Sequence, residues 1–128
     1  MLILRDAGLG ITRFEEFRAS LGIAPNILTA RLRKLTETGL LEKRIYSEHP
    51  PRDEYILTDA GRDFLPILQA IGAWGRRYNG DGALSYMVDA ETGKKIEPLV
   101  IDRQSGVPIG SRALRLVSPK APSRRRSR

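Results

Sequence analysis

The sequence predicts an α+β fold, in which helices and one antiparallel β-hairpin are followed by a small second β structure. Residues 13–21 and 25–38 both space their apolar side chains like helices, and only a short turn at Gly22 separates them. Two short extended runs then flank a Pro-rich loop. A long amphipathic pattern over residues 58–78 predicts a final helix.

Composition limits what kind of protein this is. The chain has 128 residues, 41% of them apolar, and its 22 Lys and Arg against 15 Asp and Glu give a net charge of +7. That length fits one ordinary domain with short extensions. With no Cys, disulfides, thiolate zinc sites and thiol switches are excluded. No apolar run approaches the roughly 20 residues of a membrane span, so we expect a cytoplasmic protein without a signal peptide.

The first three helices are predicted from caps and apolar spacing. Residues 1–7 form a short helix that Gly8 ends, and Thr12 is the expected N-cap of the second helix. The third helix starts with Pro25, which suits the first helical position because its missing N–H would have no helical partner. Leu28, Leu32 and Leu35 give it one apolar face, and Gly39 is the expected stop.

The next segment predicts a hairpin. Leu40–Tyr46 and Asp53–Leu57 are extended runs that flank the polar loop Ser47–Arg52. A helix, a turn, a second helix and a hairpin, in this order, make a winged helix-turn-helix, in which the hairpin is the wing.

The long helix should begin after its cap, Thr58, and end near Tyr78. Its apolar face is wider than a single domain needs. We expect part of this face to pair with a second copy of the chain, because an exposed apolar stripe usually marks an interface. The alternative is packing within the chain. The predicted dimer residues are Ile67, Ile71, Trp74 and Tyr78.

The last third holds a repeat and a basic tail. Asp89–Ile96 and Asp102–Ile109 share the pattern Asp-x-x-Thr/Ser-Gly-x-x-Ile, and each half reads as strand, turn, strand. Glu97–Ile101 is the expected central strand, and Leu114–Ser118 is expected to close the sheet. The pattern overlays a zinc ribbon, yet carboxylates and hydroxyls replace the soft ligands, so we expect no metal.

We therefore predict three parts: a winged-helix domain with its dimerisation helix at 1–80, a β-hairpin ribbon at 81–118 and a disordered basic tail at 119–128. The tail carries five cations and no acid. Such a tail attracts polyanions without reading sequence, or serves only for solubility.

Residues 10–75, about half the chain, resemble the HxlR-type winged-helix transcriptional regulators of bacteria. The motifs that carry the resemblance are Arg13–Phe17, Gly22–Leu35, Thr38–Leu41, Pro50–Thr58, Gly61-Arg62 and Trp74-Gly75. The resemblance implies a homodimer that binds double-stranded DNA as a repressor or activator, often under control of a small molecule or a redox signal. Redox sensing through Cys is excluded here. Residues 1–6 match the inside of the family's first long helix, so the chain is expected to be short at its N-terminus.

The outer face of helix 25–38 is the expected reading surface. In a helical-wheel projection, the residues opposite Leu28 have short or basic side chains. A helix that reads the major groove needs such side chains on the face that meets the DNA. Asn26 suits adenine, Arg33 suits guanine, and Thr29 or Ala30 suits a thymine methyl. Arg31 lies beside the leucines and is expected to contact phosphate. The predicted DNA-binding residues are Arg13, Pro25, Asn26, Thr29, Ala30, Arg31, Arg33, Lys34, Lys43, Arg44 and Arg52.

The wing is expected to supply the second contact. Arg52, beside the stiff Pro50-Pro51 pair, suits the minor groove or flanking phosphates. Lys43 and Arg44 are expected to reach the backbone from the hairpin.

Other functions are less well supported by the residues. His49, the one His, lies in a Pro-rich loop without a matching nucleophile, so we expect no enzyme and no cofactor. An effector pocket near Phe64, Ile71, Trp74 and Tyr78 is conceivable, although such residues more often form core. The alternative class is a basic protein- or RNA-interaction module, and a small hydrolase that depends on His49 is the remaining rival.

Overall fold

The computed structural model describes residues 2–80 and 85–119, and it confirms the α+β class. Four helices and one two-stranded antiparallel sheet occur in the described part of the chain. They are α1 (Leu2–Gly8), α2 (Phe14–Leu21), α3 (Pro25–Glu37), β1 (Leu41–Glu48), β2 (Pro51–Leu57) and α4 (Asp59–Tyr78). In those ranges, no helix is both long and apolar enough to cross a bilayer.

The N-cap of helix α2 lies one residue later than the sequence predicts. The N-cap is Arg13, not Thr12, because the carboxylate of Glu16 turns back to accept the backbone N–H of Arg13 at 3.1 Å. This arrangement satisfies a donor that the helix itself leaves free. At the other end Gly22 adopts φ 64° and donates its N–H to Arg18 O. A left-handed residue there suits Gly.

Helix α3 confirms the first residue, Pro25, and the core stripe that its sequence predicts. Pro25 occupies the first turn, and Leu28 and Leu32 are fully buried. Leu35 is only half-buried and packs at the edge of the core. Thr38 is the C-cap and Gly39, at φ 85°, turns the chain into β1.

The hairpin has longer strands and a shorter turn than expected. Pro51 and Arg52 belong to β2, with Glu48 opposite Pro51 and Ser47 opposite Arg52. The turn is therefore only His49-Pro50, not the whole of Ser47–Arg52. Pro51 is tolerated because it is the first residue of an edge strand. The register shifts between Ile45 and Ser47.

A third segment, just before α2, pairs with the hairpin. Thr12 O accepts the N–H of Tyr55 at 2.7 Å, and Arg13 forms an isolated antiparallel bridge with Glu54. The residues that enter α2 thus extend the sheet at its β2 edge. One bridge is too short to produce a strand pattern in a sequence, so no local signal predicts it.

Helix α4 begins where Thr58 predicts. The Thr58 hydroxyl accepts the N–H of Gly61 at 3.1 Å and donates to Gly39 O at 2.5 Å. One side chain therefore caps α4 and ties it to the turn after α3. Gly61 itself is buried against Leu40.

The core lies where α1, α2, α3 and β1 meet. Its buried apolar residues are Ile3, Leu4, Phe17, Leu28, Leu32 and Leu41. Phe64 and Leu68 of α4 pack against this cluster. Residues of the short α1 are thus held by tertiary packing, which a helix of its length needs.

One buried carboxylate connects α1 to α2. Asp6 is 2% exposed. It accepts hydrogen bonds from Arg5 Nε at 3.2 Å and from the Ser20 hydroxyl at 2.7 Å. The buried charge is therefore both paired and hydrogen-bonded, as burial of a charge requires.

The repeat forms two tight turns rather than a sheet of extended strands. Val88 bridges Lys95, and Ile101 bridges Pro108, each as a single antiparallel bridge. Glu97–Val100 and Leu114–Ser118 are not strands, so those two expectations were wrong. Apolar residues such as Leu114 and Leu116 are exposed. They lack a buried face that would order them as strands.

The chain divides into two compact units, one ending at Pro98 and the other starting at Leu99. The first unit holds all the helices, the β1–β2 sheet and the first turn of the repeat. The second holds the other turn. The predicted disordered tail lies outside the described residues apart from Pro119.

Candidate nucleic-acid interface

The outer face of α3 is bare. Leu28 and Leu32 point into the core, and the opposite side of the helix is exposed to solvent. Every reading residue that the sequence suggests on this helix is exposed: Pro25, Asn26, Thr29, Ala30, Arg31, Arg33 and Lys34. None of the described segments covers this surface, so it is free to contact another molecule.

The same face carries uncompensated positive charge. Arg31, Arg33 and Lys34 take part in none of the ion pairs formed within residues 2–80 and 85–119. Glu37 is the one carboxylate in the α3 sequence. A helix with three unpaired cations attracts polyanions such as a phosphate backbone.

The hydroxyl group of Thr29 is already engaged as a hydrogen-bond donor within α3. Its hydroxyl donates to Pro25 O at 2.9 Å, within the first turn of α3. Because the hydroxyl proton is engaged, the exposed side chain offers its methyl group and an acceptor oxygen, but no donor, to another molecule. This geometry suits contact with an apolar group better than donation of a hydrogen bond.

The three cations predicted in the wing are not equivalent. Lys43 Nζ lies 3.4 Å from a carboxylate oxygen of Asp53, and Arg44 Nε lies 3.4 Å from Glu42. Arg52 is exposed beside the turn and has no ion pair with the described residues. Arg52 can therefore meet an anion without first losing a carboxylate partner.

Arg13 lies against the wing. The centre of its guanidinium is 4.0 Å from the ring centroid of Tyr46, which is within the range of a cation–π contact. The contact joins the start of α2 to β1. It could not be predicted from sequence, because the two residues become neighbours only through the pairing of Arg13 with β2.

The stripe on α4 that was predicted to form a dimer interface is exposed in the single chain. Ile67, Ile71, Trp74 and Tyr78 are between 46% and 65% exposed. The rings of Trp74 and Tyr78 contact each other at 5.8 Å between centroids. These side chains form an apolar surface. No other segment within the described residues covers it.

The residues considered for an effector pocket do not come together. Phe64 packs against the core, whereas Trp74 and Tyr78 are exposed. Ile71 lines a pocket between α1 and α4 among the described residues, and Phe64, Trp74 and Tyr78 do not line that pocket.

The carboxylates of the repeat serve its turns. Asp89 accepts hydrogen bonds from the backbone N–H groups of Glu91 and Thr92. Asp102 accepts hydrogen bonds from the backbone N–H of Gln104 and from the Ser105 hydroxyl. The hydrogen bonds from Ser105 and Gln104 lower the pKa of Asp102. Residues 2–80 and 85–119 contain no group of three His, Asp or Glu side chains placed to hold a metal ion.

Similarity to known proteins extends over most of the chain. A profile of the HxlR-like helix-turn-helix family matches residues 1–82. Among curated proteins, HTH-type transcriptional regulators of Mycobacterium bovis (Mb3122) and Mycobacterium tuberculosis (Rv3095), both described as uncharacterised, are 44% identical over 78 residues. The match covers 61% of this chain and 49% of each relative, so the chain spans about half their length.

Two solved structures are similar over nearly the entire chain. PA1607, described as a proposed transcription factor, shares 40% identity with a TM-score of 0.78, over 93% of this chain and 84% of its own. PA1374 from Pseudomonas aeruginosa, described in the same way, shares 38% identity with a TM-score of 0.74, over 96% and 86%. The redox regulator HypR is similar over 61% of this chain and 78% of its own, at 33% identity and a TM-score of 0.56.

Proposed function

The chain belongs to the HxlR-like helix-turn-helix family, and from that premise we propose that it is a transcriptional regulator that binds double-stranded DNA in a sequence-specific manner. Helix α3 reads the major groove and the β1–β2 wing contacts the flanking DNA. The observation that carries this proposal is the bare, cationic outer face of α3.

Base recognition falls to the short and basic side chains of α3. Asn26 lies in the first turn, the part of a recognition helix that enters deepest into the groove. Arg33 lies two turns further on, free of carboxylate partners, and suits the O6 and N7 acceptors of guanine. Thr29 offers its methyl group to thymine, because its proton is held by Pro25 O. Pro25 and Ala30 give close, neutral contact, and Arg31 and Lys34 bind phosphate.

Arg52 makes the principal wing contact. Its position beside the His49-Pro50 turn and its lack of a carboxylate partner support this role. Lys43 and Arg44 contribute less, since each would exchange an existing ion pair for a phosphate. Arg13, stacked on Tyr46, positions the wing and contacts phosphate from the start of α2.

The active form is a homodimer that pairs through α4. The exposed apolar stripe of Ile67, Ile71, Trp74 and Tyr78 supports this part of the proposal. A two-fold dimer presents two copies of α3, so the operator is an inverted repeat with half-sites about one helical turn apart. A small-molecule effector controls this dimer.

The chain is divided into three regions with different roles. Residues 1–80 form the DNA-binding and dimerisation region, 81–118 an accessory segment that includes the two turns of the repeat, and 119–128 a basic tail that adds affinity for DNA without changing its sequence preference. The protein acts in the cytoplasm, where its DNA lies, and has no catalytic role.

Selection of bound sequences from random double-stranded DNA tests the proposal directly. We expect the full chain to enrich an inverted repeat. Enrichment of a single half-site would contradict the dimer but not the reading helix. If no sequence is enriched, and binding is lost only when residues 119–128 are deleted, the chain is a basic interaction module instead.

A further inference from the structure

A pocket of about 320 Å³ is lined by residues of α1, residues of α4 and residues 85–87. Its walls are mostly apolar. They include Leu2, Leu68, Ile71, Tyr86 and Met87. This volume is within the range of pockets that hold small organic molecules. All these residues belong to the first compact unit.

One charged side chain is buried in this wall. Arg76 is only 7% exposed, although it lies in the last turn of α4. Its Nη1 donates to Ser85 O at 3.1 Å. That is the one hydrogen bond its guanidinium makes with the described residues, and it forms none of their ion pairs. A guanidinium has five N–H donors, so only a minority of them find an acceptor among the described residues.

The other cation at the pocket is already neutralised. Arg5 pairs with the buried carboxylate of Asp6 at 3.1 Å. The positive charge that remains at the wall therefore belongs to Arg76. Arg76 is 7% exposed and has no carboxylate partner among the described residues, so an anion that reaches it there would be favoured.

We propose that this pocket binds a small carboxylic acid with an apolar body, its carboxylate held by Arg76. The planar guanidinium suits a carboxylate, which it binds through two parallel hydrogen bonds. The apolar body lies against Leu68, Ile71 and Met87. The pocket is then the effector site of the proposed regulator, although binding at the site does not require DNA.

The position of the pocket gives it a route to the dimer. Ile71 lines the pocket and is also part of the exposed α4 stripe. Two chains that pair through α4 could adopt more than one arrangement. A ligand that contacts Ile71 in only one of these arrangements shifts the equilibrium toward that arrangement.

Arg76 and the pocket could instead serve a purely structural purpose, and each such role predicts a different binding result. If Arg76 only braces Ser85, a neutral ligand binds as well as an acid. If a second copy of the chain fills the pocket, no small ligand enters it. Calorimetric titration of the full chain with 2-naphthoate and with its neutral isostere 2-naphthamide separates these cases.

We expect 2-naphthoate to bind roughly tenfold or more tightly than the amide, since hydrogen bonds between two charged groups are stronger than those to a neutral acceptor. Arg76→Gln should abolish this preference. Arg77→Gln, which removes an exposed charge from the next position of α4, should leave it within about twofold of the starting protein.

A second variant covers the case in which Arg76→Gln does not fold. Gly72 lines the pocket, and a Cβ added there would meet only the end of the Arg76 side chain, at 3.4 Å, so we expect Gly72→Leu to occupy the pocket. It should weaken both probes at least tenfold. Failure of 2-naphthoate to bind, equal affinity for acid and amide, or undiminished preference in Arg76→Gln would each overturn the proposal. These results leave the DNA-selection experiment untouched, so the two proposals fail independently.

Discussion

In the proposed DNA-binding surface, some side chains are assigned to reading bases and others to adding positive charge. The cations of α3 have no carboxylate partner in the described part of the chain, whereas Lys43 and Arg44 on the wing are paired with carboxylates. The types and helical spacing of the α3 residues were readable in the sequence. Lys43 is neutralised by Asp53 across the hairpin and Arg44 by Glu42 on its own strand, and only the structure shows these pairings.

The first prediction compares a reading residue with a phosphate contact. Arg33→Ala should relax the preference at one base position, which costs about 1–3 kcal/mol of discrimination. Arg52→Ala should weaken binding to all sequences alike and reduce the slope of log affinity against log salt by about one unit. Both are measured by fluorescence anisotropy on the selected operator and its single-base variants.

Arg103→Ala is the matched control, because it removes one exposed positive charge from the repeat rather than from the winged helix. Equal and small effects of Arg33→Ala and Arg52→Ala would contradict the assignment of their roles.

At the scale of elements, close packing at the start of α4 fixes how the helix meets the turn after α3. Thr58 caps α4 and binds Gly39 O, and Gly61 packs directly on the backbone of Leu40. The cap was predictable from the sequence, because Thr followed by an apolar periodic run is a local signal. The need for Gly at position 61 was not, because it arises from a contact between distant segments.

Gly61→Ala should therefore destabilise the fold by about 3 kcal/mol or more, although Ala is the better helix former. The added Cβ would lie 2.2 Å from Leu40 O, and a backbone atom cannot move away cheaply. Chemical denaturation measures the change in the free energy of unfolding.

Gly75→Ala provides the control on the same helix, since a Cβ there meets nothing within 4 Å. It should raise stability by up to about 1 kcal/mol. Similar effects of both variants would show that packing at Gly61 is loose.

The turn at Asp102 should depend on pH. Hydrogen bonds from the Ser105 hydroxyl and from Gln104 N–H hold the pKa of Asp102 below its ordinary value of 3.8. A lowered pKa in the folded turn means that the carboxylate stabilises it above pH 3.8, and that this contribution is lost as the pH falls through the lowered pKa.

The amide resonances of Ser105 and Gly106, followed by NMR, should accordingly stay unchanged on acidification to about pH 4 and shift only below it. In Asp102→Asn they should show the altered turn at every pH and no such transition. A transition centred above 3.8 would contradict the hydrogen-bonded geometry.

For the whole molecule, the apolar stripe of α4 is the feature that a single chain leaves unsatisfied. The stripe was visible in the sequence as a face too wide for one core, and the structure leaves it exposed. Its partner is the proposed second copy. The shared border between this stripe and the Arg76 pocket would let a ligand act on the assembly.

Trp74→Glu should convert the proposed dimer to a monomer, because Trp74 is 62% exposed and its ring would become buried in the interface. Sedimentation equilibrium measures the mass. Leu116→Glu makes the same kind of change at a residue that is 91% exposed in the C-terminal segment, and it should leave the dimer intact. A Trp74→Glu protein that remains dimeric would exclude α4 as the interface.

The sequence by itself determined the order of the helices and the hairpin, the start of α3 at Pro25, the cap at Thr58, and the basic outer face of α3. These follow from local rules, since helical spacing and capping act over a few residues. Only the tertiary structure decided the Thr12–Tyr55 pairing, the contact of Arg13 with Tyr46 and the burial of Arg76, and it reduced the expected ribbon to two tight turns. Each of these depends on segments far apart in the chain, or on whether a buried face exists to order a strand, and no local pattern contains that information.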